Sequence, residues 1–182
     1  MKYILKFLLC ILLLGNTMAV FAQNDNYKLE TKYMECMCNL FDDNGVEFKT
    51  LLKKAEQSLR SAELLPDTSG KSYITLHNNI RMAIDGRMAN FGVSDYVIKA
   101  LSGTENIKKY AACMNGILTD KNFENSKIGQ IIALSTSGNN PKITELTDKM
   151  LKILEAKDFK HDFYKYLTFS LIDKYNTANK KQ

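Results

Sequence analysis

Tryptophan is absent, and the 182 residues hold only two prolines, two histidines and nine glycines. With Pro66 and Pro141 as the sole prolines, long stretches of chain meet no helix breaker. The histidines, His77 and His161, share no metal-ligand spacing. GxSxG, HExxH and a phosphate-cradling glycine loop are all missing. Asp42-Asp43-Asn44-Gly45 has the composition of a calcium loop but the wrong register, because counting Gly45 as the sixth position puts Leu40 first and Leu51 twelfth. Cys113 and His77 are a nucleophile and a base by type, yet only a deep pocket could pair them. The chain therefore carries no legible catalytic set, and no cofactor is expected.

Long apolar runs are missing too. The longest, Phe7 to Leu14, falls well short of the roughly 20 residues that cross a bilayer. Preceded by Lys2 and Lys6 and ended by Gly15-Asn16-Thr17, it has the layout of a secretory signal. Val20-Phe21-Ala22 before Gln23 places the cut after Ala22. Cys10 sits inside the run, between Leu9 and Ile11, without the small-residue context of a lipidated cysteine. The expectation is an exported protein, periplasmic or extracellular, with no transmembrane segment after processing. Residues 23–176 form one helical domain and 177–182 a frayed polar tail.

A large excess of either sign is missing once the signal is gone. Processing removes only Lys2 and Lys6 from 25 basic residues and leaves all 20 acidic ones, a net of +3. Residues 23–50 carry an acidic excess and residues 149–182 a basic one, so the first mature helix can lie beside the last. No dense Lys/Arg stripe is present, and nucleic acid is not an expected partner.

Apolar residues recur at three and four rather than at two, which points to an all-α chain. Helices are predicted over Tyr27–Phe41, Val46–Leu65, from a Ser72 cap to a break at Gly86–Gly92, Ser94–Leu101, Thr104–Leu118, Ser126–Ser135, Asn140–Leu154 and Asp158–Asn176. The last two alternatively join as one helix. Leu29, Tyr33, Met34, Met37, Leu40 and Phe41 cover an arc broad enough for packing on two sides. The fold class is an antiparallel helical bundle of about six to eight helices, with an irregular stack of helical hairpins as the alternative.

Three mature cysteines allow one bridge, Cys113 with Cys36 or with Cys38. Met34, Cys36, Met37 and Cys38 also have the soft donors that Cu(I) selects. On a helix Met34 and Cys38 share a face, whereas Cys36 and Cys38 point about 200° apart. In the last helix Tyr164 and Phe169 fall at the margins of the core stripe, beside Lys165, and are candidates for a partner surface. His77 is expected to be partly exposed. The functional reading is a protein-interaction module of inhibitor or immunity type binding a protein partner, and the alternative is a soft-metal binder using the Met34–Cys38 segment.

Overall fold

The three-and-four spacing becomes helix throughout the computed structural model, which describes residues 27–85, 88–136 and 142–179. The signal segment with its cut at Ala22, Cys10, the Asn140-Pro141 cap, Gly86-Arg87 and the last three residues of the tail lie outside the described residues. Among the described residues eight α-helices follow in order: α1 (Lys28–Cys38), α2 (Val46–Ser61), α3 (Gly70–Asn78), α4 (Val93–Ala100), α5 (Thr104–Leu118), α6 (Lys127–Thr136), α7 (Ile143–Leu151) and α8 (Asp162–Asn179). Short 3-10 turns at Ile80–Ala83 and Asp158–Lys160 complete the set, and there is no strand among the described residues. The chain is an all-α helical bundle. None of its described helices is long and apolar enough to cross a membrane.

α8 is the axis of the bundle and packs on α1, α2 and α4. Its buried side chains, Phe163, Tyr164, Phe169, Ile172 and Asp173 among them, point to every side of the helix. Burial on so many sides leaves Tyr164 and Phe169 at no exposed margin. Tyr164 and Phe169 are fully buried, so the expected partner surface is corrected: these aromatics belong to the core. Lys165 beside them is largely covered and paired with Glu56 at 2.8 Å. α1 is packed on two sides as its broad arc implies, against α5 and α8.

Several helix ends differ from expectation because the groups at those ends find other partners than the ones predicted, some a few residues away and one across the molecule. α2 stops at Ser61, four residues early. Glu63 takes a left-handed φ of 58°, and Leu64 N–H bonds back to the Leu59 carbonyl at 3.0 Å, turning Leu65 into the core. Such a left-handed residue satisfies carbonyls that the helix end leaves open. α3 is capped by Ser69, whose Oγ accepts from Ser72 N, and not by Ser72. Ser72 Oγ instead donates to Asp67 at 2.6 Å. A Cβ at Gly70 would collide with the Ala156 carbonyl, so only glycine lets α3 start this close to the chain after α7.

α4 begins at Val93 and is capped from across the molecule. Asp173 on α8 accepts from Phe91 N at 2.6 Å and from Val93 N at 2.8 Å. A carboxylate at a helix N-terminus satisfies open N–H groups and the positive end of the dipole. The predicted Ser94 cap is therefore not used. α7 and α8 are separate helices, joined through the 3-10 turn at Asp158, and α8 runs on to Asn179, past the predicted start of fraying.

Candidate functional site

The most polar part of the interior lies where the start of α1 meets the start of α8. Asp158, fully buried, accepts from Tyr27 Oη at 2.8 Å, from Lys127 Nζ at 2.7 Å and from Glu155 N at 2.6 Å. Burial pushes its carboxyl up, but the three donors outweigh burial and hold it below the ordinary range. One turn along α1, buried Glu30 accepts from Tyr164 Oη at 2.6 Å. His161 closes the cluster by stacking on Tyr27 at 5.3 Å between centroids. Its Nδ1 accepts from Phe163 N at 3.2 Å, capping α8, which leaves Nε2 as the donor to Thr31 Oγ1 at 3.1 Å. Burial lowers its pKa, in keeping with a neutral ring. Nearly every polar atom here is spent on another part of the chain. The cluster clamps α1 to α8 and offers no open valence for chemistry.

Beside it a groove of about 540 Å3 runs along one face of α1 through Thr31, Met34, Glu35 and Cys38, opposite Lys49 and His161. Met34 and Cys38 share this face, as their spacing requires. Cys36 and Met37 do not line it, being almost completely buried. Cys36 is bonded to Cys113, with the Cα atoms 5.8 Å apart, and Cys38 keeps its thiol. The bridge takes Cys36 out of any thiolate set in the oxidised protein. Burial pushes the Cys38 thiol up, only partly offset by Lys49, so it is a poor nucleophile at neutral pH. Among the described residues no three His, Cys, Asp or Glu side chains stand close enough to hold a metal ion.

His77 is the second correction. It is 1% exposed, bonded through Nε2 to Thr168 Oγ1 at 3.0 Å. Thr168 donates its own proton to the Tyr164 carbonyl, so His77 Nε2 carries the hydrogen. Nδ1 has no hydrogen-bond partner among the described residues, and burial drives the pKa down to about 4. Cys113, the other half of the conceivable dyad, is committed to the bridge. No catalytic pair forms.

The feature that sequence reasoning missed lies on α5. This helix packs mainly on α1 and is fastened there by the disulfide, by Lys32 Nζ donating to the Gly116 carbonyl at 2.7 Å, and by Tyr110 Oη donating to Tyr33 Oη at 3.3 Å. Ile117 is its only fully buried side chain. Ile107 is 52% exposed and Leu118 49% exposed, with exposed Ala111 and half-buried Met114 between them. Positions 107, 111, 114 and 118 recur at helical spacing and form one ridge. The apolar arc of this helix, from Cys113 round to Ala111, spans about 160°, wider than one neighbouring helix covers. That width was the available signal.

No family model, curated protein or solved structure matches this chain. Its functional reading therefore rests on its own residues.

Proposed function

We propose that the protein is an exported interaction module that docks a partner protein through the α5 ridge, acting by occupancy in the manner of an inhibitor or immunity protein. The observation that supports this reading is the half-exposed pair Ile107 and Leu118 on a helix that the bundle holds by one face. An amphipathic helix read by its i, i+4, i+7 and i+11 side chains is a standard ligand for an apolar groove. The ridge is about 17 Å long. A stable interface covers roughly 800 Å2 per partner, more than a single ridge of this length supplies, so a partner groove that also wraps the flanks of α5 fits it best. The bridge stiffens the ridge and lowers the ordering cost of docking.

The test is a photo-crosslinker at residue 111 together with Ile107→Glu and Leu118→Glu variants. The crosslinked chain is expected to trap one defined envelope protein. Each glutamate is expected to weaken that complex by at least about tenfold while leaving helical content and melting temperature unchanged. Undiminished binding by both glutamate variants, or recovery of lipid in place of a protein, would overturn the reading.

A further inference from the structure

The turn joining α1 to α2 and the adjacent faces of α4 and α5 enclose a cleft of about 450 Å3, apart from the α5 ridge. Its apolar wall is an aromatic stack. The rings of Phe41 and Tyr96, both half-buried, lie 4.7 Å apart at 24°, and fully buried Phe48 stands 5.6 Å from Phe41. Asp42, Asp43 and Glu47 form the rim, faced by a single cation, Lys99.

Two of these carboxylates are fixed by the fold. Asp43 accepts from Gly45 N at 2.9 Å and from Glu47 N at 2.7 Å, and Glu47 accepts from Tyr96 Oη at 2.9 Å. Burial, and then the bond to Glu47, push the Tyr96 phenol up to about 12, so it remains a neutral donor with an intact ring face. Asp42 has no hydrogen-bond or ion-pair partner among the described residues. The carboxylates do not converge as a metal site.

A guanidinium satisfies all of these features together, because it is flat, stacks on aromatic faces and forks onto carboxylates. An ammonium provides the charge without the stacking plane. We propose that this cleft receives an arginine side chain of a partner protein, packed against the part of the Phe41–Tyr96 stack that lines it and with its N–H groups on Asp42 and Glu47. The excess of carboxylate over Lys99 supplies the complementarity, and the bonds that already orient Asp43 and Glu47 reduce what must be ordered on binding.

The probes are N-acetyl-arginine N-methylamide and its neutral citrulline counterpart, each titrated into the 15N-labelled chain and followed by amide shifts. The arginine probe is expected to give saturable shifts at Phe41, Glu47 and Tyr96, and the citrulline probe to bind about tenfold more weakly or worse. Asp42→Asn, an exposed change at a residue with no bond to lose, is expected to weaken the arginine probe about threefold or more. Equal binding of the two probes, shifts centred elsewhere, or an unchanged affinity in Asp42→Asn would overturn the assignment. Because the readout does not involve the ridge, its failure is distinguishable from failure of the α5 docking reading.

Discussion

Single residues in this bundle carry charge and polarity into places that rarely tolerate either. His77 is the sharpest case, since its one bonded nitrogen donates and the other has no hydrogen-bond partner among the described residues. A proton on Nδ1 would add a buried charge with nothing to receive it. Unfolding restores an ordinary histidine of pKa near 6.5, while the folded ring titrates near 4. The unfolded state therefore binds the extra proton first. Stability is unaffected above the unfolded value, falls as pH drops from about 6.5, and levels off below about 4 after a loss of about 3 kcal/mol. Burial lowers the His161 pKa as well, which adds in the same direction. Urea denaturation followed across that window is expected to show this acid limb, and His77→Gln is expected to shrink it. A limb unchanged in His77→Gln would assign it to other groups.

At the scale of elements, α5 is tied to α1 by a covalent bond, the bridge between Cys113 and Cys36. The bridge closes a separation of 77 residues, for which the chain-entropy account gives about 4 to 5 kcal/mol. Cys113→Ser is expected to lower stability by that order and to raise amide exchange in α5 well above that in α8. Uniform exchange across both helices would mean that α5 is held as firmly by packing as by the bond. The same contrast explains what could be read from the chain beforehand. The number and positions of the helices follow from apolar spacing, a local property, and so does the choice of Met34 and Cys38 as neighbours on one face. Helix starts were less legible: the cap of α4 comes from Asp173, some eighty residues away, and Ser72 is diverted to Asp67. The exposure of Tyr164 and Phe169 was misjudged for a related reason. A stripe says which side of a helix is apolar, but the number of neighbours decides how many sides are covered.

For the whole molecule, the acidic beginning and basic end do meet, yet their contact is mostly hydrogen-bonded burial and not a row of surface ion pairs. Lys127 with Asp158 and Lys165 with Glu56 are the shielded pairs, while Lys108 with Glu105 and Lys149 with Glu145 lie in solvent. Exposed pairs of the latter sort contribute little. Fractionation of the producing cell is expected to recover the chain outside the cytoplasm with Gln23 at its N-terminus and sedimenting as a monomer. A cytoplasmic product retaining Met1 would sink the export reading, and a stable dimer would redirect the α5 ridge toward self-association.

The bond between Glu30 and Tyr164 joins residues 134 positions apart, and that between Tyr27 and Asp158 joins residues 131 apart. A growing chain must therefore hold α1 in waiting until nearly all the rest has emerged. During that interval Glu30 and the face of α1 that α8 covers stay wet, and of its two flanking helices α1 has only α5 available. Completion is thus decided late, by the arrival of the final helix, in a molecule whose two ends are far apart in time of synthesis and adjacent in space.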